Sequence, residues 1–232
     1  MLFCVLLVFL VACSPEIKVK VVPRSAGEMV KINIVSPQEG EIIDGDTARI
    51  AFDVKNFKSI VGGNAVHVVL NNGPRIKYFG NGSLVLSSLA DGRNVVRIFP
   101  ARGWGESVKD KGAFVMRQFY VKKKNSEFLN VNAPMLTYNE PAGFYNSVEA
   151  KRLLLDFLVH NVVLSKNGYR VRYSLDGVSR ELFSAQPVYL TNVGPGAHKV
   201  VLELVDKNGN LAEGNFVRTQ REFVVMEEKT KT

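Results

Sequence analysis

The side chains able to do chemistry in this 232-residue chain are few and widely spaced: three histidines, two cysteines and one tryptophan. A metal or proton-transfer site would need His67, His160 and His198 to converge with carboxylates. Strand parity argues against convergence. Val66, Val68 and Leu70 take one side of an alternating run, so His67 takes the other, on the outer face of its sheet. A His67→Ala change is therefore expected to cost little. His160 is opposite in parity to Phe157 and Val159 and also reads as outward. His198 shares parity with Val200, Leu202 and Leu204, and reads as a corner residue that caps the core and bonds to backbone. The three are spread over two halves of the chain and two environments. No Ser-His-Asp order, glycine-rich phosphate loop or paired-carboxylate context accompanies them. The expectation is a chain with no catalytic residue, no metal ligand and no cofactor.

Aromatic residues offer a second kind of chemistry, contact rather than catalysis. Trp104 sits in Gly103-Trp104-Gly105, and the flanking glycines put its ring at a loop tip. Loop aromatics on a rigid scaffold serve as contact points for sugars or proteins; alternatively, the ring folds back onto its own domain or the neighbouring one. Tyr138, Phe144 and Tyr145 flank Pro141. They make either an aromatic contact patch or packing at a strand edge or between domains.

The cysteines point to an address. The chain opens with an unbroken apolar run before Cys13, too short for the roughly 20 residues of a membrane-spanning helix but as long as a signal-peptide core. The run ends Leu10-Val11-Ala12-Cys13, followed by Ser14, and no Lys or Arg precedes it. This resembles the bacterial lipobox, which implies cleavage before Cys13, lipidation of its thiol and a membrane partner for the lipid. Cys4 would leave with the signal, so the mature chain would carry no disulfide and no cysteine-based metal site. Ser14 resembles the residue that, in a Gram-negative cell, passes a lipoprotein on to the outer membrane.

These residues must be positioned by strands. Ala48, Ile50, Phe52 and Val54 alternate with Arg49, Ala51 and Asp53; Tyr169, Val171, Tyr173 and Leu175 alternate with Arg170, Arg172 and Ser174. Period two marks half-buried strands. Turn residues recur between the runs, at Gly62-Gly63, Asn72-Gly73, Asp91-Gly92, Asp176-Gly177 and Asn208-Gly209. The two halves also match at a shift of 104–105 residues. Pro37 falls on Pro141; Phe52, Val54 and Asn56 on Phe157, Val159 and Asn161; Val66 and Leu70 on Val171 and Leu175; Phe119 and Val121 on Phe223 and Val225. The pattern predicts an all-β chain of two tandem antiparallel β-sandwiches at 29–123 and 131–227. Around them stand a signal peptide (1–12), a tether (13–28), a linker (124–130) and a polar tail (228–232). The joint Lys122–Asn132 is charged and polar, so some inter-domain motion is expected.

Val193-Gly-Pro-Gly196-Ala-His198-Lys-Val200, followed by Asp206-Lys-Asn-Gly209-Asn210, resembles a pattern of bacterial immunoglobulin-like and fibronectin-III-like domains. The first copy departs from it, with Asn94 for the histidine and Arg102-Gly-Trp104-Gly105 for the Asp-Gly turn. The resemblance implies the fold and little about function. The net charge of +8 is concentrated locally at Lys18/Lys20/Arg24 and Lys122/Lys123/Lys124. On an anchored protein it favours anionic headgroups or acidic glycans, or simply keeps the surface solvated. Nucleic acid is not expected as a partner. The resulting expectation is a non-catalytic, lipid-anchored interaction or structural module at the cell envelope, with an envelope protein or glycan as partner. The alternatives are a glycan-binding module using Trp104 and basic residues, or an accessory subunit of an envelope enzyme complex.

Overall fold

The computed structural model describes residues 17–19, 29–80, 82–124 and 129–227. The segment read as a signal peptide (1–12), Cys13 and the tail at 228–232 lie outside the described residues. After β1 (Ile17–Val19) come β2 (Lys31–Ser36), β3 (Ile42–Ile43), β4 (Ala48–Lys55), β5 (Ala65–Leu70), β6 (Arg75–Tyr78), β7 (Ser83–Leu86), β8 (Gly92–Ala101) and β9 (Val115–Val121). Then follow β10 (Met135–Glu140), β11 (Gly143–Tyr145), the single turn α1 (Ser147–Ala150), β12 (Leu153–His160), β13 (Arg170–Leu175), β14 (Val178–Leu182), β15 (Val188–Leu190), β16 (Gly196–Val205) and β17 (Arg218–Val225).

Strand order makes the two halves copies of one sandwich. In the first, sheet β2-β4-β7 faces sheet β3-β9-β8-β5-β6; in the second, β10-β12-β15 faces β11-β17-β16-β13-β14. All pairings are antiparallel except β3 with β9 and β11 with β17. This is the two-sheet order of immunoglobulin-like and fibronectin-III-like domains. Within the stretch read as a tether, β1 adds to the edge of the second sandwich, pairing Ile17–Val19 with Val188–Leu190 of β15.

Each copy has its own core. Ile50, Phe52, Ile98 and Phe119 fill the first; Leu155, Phe157, Leu202 and Phe223 fill the second. Each such side chain gains about 1.5–3 kcal/mol by leaving water. Matched strand ends use the same device. Asn56 and Asn161 take φ of 59° and 62°, and Asn71 and Asp176 take 52° and 50°. Asx side chains tolerate this left-handed region.

The copies differ where they meet. In β4 only one face is fully buried, and in β13 buried and half-buried residues alternate. In β5, β8, β10 and most of β12 the alternation is lost because both faces are covered. The outer face of β5 and β8 lies against the outer face of β10 and β12. Val69, Phe99 and Leu158 form a third apolar cluster there, with Phe114 packed against it. His67 requires a correction. It does point away from its own core, but that face is covered by the second sandwich, and the side chain is 1 % exposed. The seam also opposes the inter-domain motion expected from the polar joint, because contacts outside the joint bind the domains together.

Candidate functional site

The seam has a polar spine. Asp156, at the centre of β12, is fully buried and its carboxylate is met from several sides. Lys109 Nζ donates to Oδ1 (2.6 Å), while Ser107 N–H (3.0 Å) and Asn139 Nδ2 (2.7 Å) donate to Oδ2. Asn139 Nδ2 also reaches Gly105 O (2.6 Å), and Asn139 Oδ1 lies 2.7 Å from His67 Nδ1. With the amide nitrogen facing two acceptors, Oδ1 is the accepting atom, so neutral His67 carries its proton on Nδ1. Burial, then the nearby Arg75 guanidinium, pushes the His67 pKa down to about 3. His160, stacked on Phe114 with ring centroids 3.6 Å apart, is pushed down to about 4, again chiefly by burial.

A second anchor is Arg97. Its guanidinium is fully buried and lies 4.4 Å from the centre of the Phe216 ring. Nη1 donates to Leu136 O and Thr137 Oγ1 (both 2.9 Å), and Nη2 donates to Asn71 O. Arg221 reaches back from β17 to the carbonyls of Asn72 and Gly73, and Asn72 Nδ2 donates to Arg218 O (2.8 Å).

Where the seam opens to solvent it forms a cleft of about 400 Å³, lined from both sandwiches. The loop after β8 brings Gly103, Trp104 and Gly105; β6 brings Arg75 and Lys77; the second sandwich brings Glu140, Phe144, Tyr145, Arg152 and Tyr189. Trp104 is 55 % exposed and Phe144 is 74 % exposed, so two aromatic side chains stand at the rim. Arg102 lies over the Trp104 ring, 5.5 Å from its centre, and Trp104 Nε1 donates to Glu106 Oε2 (2.9 Å). The floor is a buried ion pair. Arg75 bonds Glu140 Oε1, and its Nε donates to Asn139 O (3.0 Å). Tyr145 Oη donates to Glu140 Oε2 (2.9 Å) and accepts the Ala142 N–H (2.8 Å). Burial raises the Glu140 pKa, and Arg75 and the tyrosine bond oppose the rise. Arg152 lies over the Tyr189 ring, 4.5 Å from its centre. Gly105 has φ +94°, and a Cβ there would meet Glu140 Oε1 at 2.8 Å. Only glycine lets the Trp104 loop approach the floor this closely.

Of the aromatic residues singled out in the sequence, Trp104, Phe144 and Tyr145 come together on this cleft. Tyr138 does not. It is buried in the second core, where its hydroxyl donates to Pro141 O (2.6 Å). His198 stacks on Phe223, with Nε2 2.8 Å from Gly194 O and Nδ1 2.7 Å from Asp176 Oδ2, as a corner residue should. No three His, Cys, Asp or Glu residues are grouped to hold a metal ion among the described residues. Sequence reasoning missed Arg75, Lys77, Glu140, Arg152 and Tyr189 on the cleft, and Arg97, Lys109, Asn139 and Asp156 on the seam. For Asp156 a signal existed, since it stands alone in Leu153-Leu-Leu-Asp156-Phe-Leu-Val, where the other copy has Ala51. Cleft residues carry no such mark, because a surface lysine or arginine looks alike wherever it lies.

No family model and no curated protein matches the sequence. Among solved structures, the chain is similar to the fibronectin(III)-like modules of CbhA from Clostridium thermocellum, at 15 % identity and a TM-score of 0.32, covering 87 % of this chain and 99 % of that one. It is also similar to the three N-terminal domains of the highly immunogenic outer capsid protein of bacteriophage RB49, at 8 % identity and a TM-score of 0.23, covering 87 % and 71 %. Scores at this level say nothing about function. The fold rests on the strand order itself.

Proposed function

We propose that the protein is a non-catalytic interaction and structural module of a bacterial envelope, held at the membrane by lipid on Cys13 and built as one rigid two-sandwich body. The observation that carries the reading is the seam, in which His67, Asn139, Asp156 and Lys109 form one buried hydrogen-bonded chain across the two domains. A rigid pair of sandwiches holds a contact surface at a set distance and angle from its anchor, which a freely jointed pair cannot do. Anchoring draws support from Leu10-Val11-Ala12-Cys13, and Ser14 favours the outer membrane in a Gram-negative cell. The partner in this reading is an envelope protein or glycan.

Three measurements test it. Mass spectrometry of the N-terminal peptide from the cell envelope should find fatty acid on Cys13, and Cys13→Ser should abolish incorporation of labelled fatty acid. Small-angle scattering of the detergent-solubilised chain should fit one rigid particle. Scattering that requires two independently moving bodies would refute the rigid-body reading. The glycan-binding alternative is favoured by the exposed aromatic side chains Trp104 and Phe144 and the cations of the cleft.

A further inference from the structure

We infer that the cleft between the two sandwiches is a binding site for an acidic saccharide. The inference rests on the rigid docking proposed above, because neither sandwich forms the cleft alone. Its volume of about 400 Å³ falls in the range of roughly 300–1,000 Å³ usual for small-ligand sites. A sugar ring presents apolar C–H faces and a polar edge. The cleft offers the complement, with the exposed side chains of Trp104 and Phe144 at the rim, Arg102 over the Trp104 ring, and charged groups within.

Charge selects the acidic class. The lining carries Arg75, Lys77 and Arg152 against Glu140 and Glu149. Both carboxylates are already engaged. Glu140 is bound by Arg75 and Tyr145, and Glu149 Oε2 accepts the Asn146 N–H (2.9 Å) in the cap of α1. Lys77 and Arg152 are exposed and remain to meet a ligand. Arg152 is held over the Tyr189 ring, 4.5 Å from its centre, and its guanidinium can pair with a carboxylate or sulfate through two N–H groups. A neutral sugar would leave these cations without a partner. An apolar ligand would also bury the Glu140–Arg75 floor against hydrocarbon.

Trp104 is the only tryptophan, so its fluorescence reports occupancy of the cleft directly. The full chain in detergent should be titrated with oligogalacturonate, with the neutral oligosaccharide cellopentaose as comparison. Vesicles of phosphatidylglycerol form a third arm. Oligogalacturonate should shift the Trp104 emission saturably and cellopentaose should not. By calorimetry, Trp104→Ala, Phe144→Ala and Arg152→Ala should each weaken oligogalacturonate binding by about tenfold or more, with unchanged melting temperature. Binding that survives both Trp104→Ala and Arg152→Ala would be diffuse charge attraction and would overturn the proposal. So would equal binding of cellopentaose, absence of any binding, or a response to anionic vesicles alone. A chain that scatters as one rigid particle yet binds no oligogalacturonate sinks this inference and leaves the rigid-body reading standing.

Discussion

His67 shows how much a single residue's cost depends on what covers it. Removing its ring should leave Asn139 Oδ1 without its partner in a buried seam. His67→Ala is therefore expected to destabilise by about 2–4 kcal/mol, combining an unsatisfied acceptor with a cavity; urea denaturation at pH 7 measures this. The pH dependence has a definite sign. The folded-state pKa of about 3 lies below the ordinary 6.5, so the unfolded chain binds the proton more readily. Stability is thus fully present above pH 6.5 and is lost as pH falls toward 3, at up to about 1.4 kcal/mol per pH unit from this residue. His160, lowered to about 4, adds a loss of the same sign. Denaturation at pH 7, 5.5 and 4.5 should show the decline, and His67→Asn should flatten it. Gly105→Ala is a second single-residue test. Its φ of +94° and the 2.8 Å approach to Glu140 Oε1 predict a loss of about 1–3 kcal/mol; a melting temperature equal to that of the parent would show that the loop has another way to pack.

Among the elements, β4 and β12 occupy equivalent places in the two copies but do different work. The outer side of β4 carries Arg49, Ala51, Asp53 and Lys55; that of β12 carries Leu154, Asp156, Leu158 and His160. Truncating the matched core residue of each, by Phe52→Ala and Phe157→Ala, should cost about 3–5 kcal/mol in both cases. The consequences beyond the strand should differ. Phe157 lies beside Asp156, which holds the Ser107 N–H of the other sandwich at 3.0 Å. Amide exchange at Ser107 should therefore speed up in Phe157→Ala and stay near its parent rate in Phe52→Ala. Equal protection of Ser107 in both variants would show that the seam is insulated from the core beneath it.

For the molecule as a whole, the seam decides whether unfolding is one event or two. Lys109→Met removes the cation from Asp156, a carboxylate with no exposure, and breaking a buried pair in this way costs about 3–5 kcal/mol. The parent chain should unfold in a single calorimetric transition. Lys109→Met should split it into two, or lower it as one with a larger radius of gyration beforehand. Two separate transitions in the parent would mean that the seam couples the domains too weakly to make one cooperative body.

The two sandwiches were legible in the residues themselves. Alternation in β4 and β13 records a strand with one face in a core, and the matched asparagines and turn glycines record where strands must end; both are local demands that a chain meets with local residue choice. Leu153–Val159 breaks the alternation, but the parity of Phe157, Val159 and His160 set one face of β12 outward, and neither the cover on that face nor what supplies it was read from the sequence. His67 reads as a surface residue until Asn139, 72 residues away, is placed against it. Trp104 and Phe144 come to one cleft only through the docking of one sandwich on the other. Docking depends on which two faces match in shape and charge, and that match is a property of surfaces assembled from distant strands, with no period or spacing along the chain to record it.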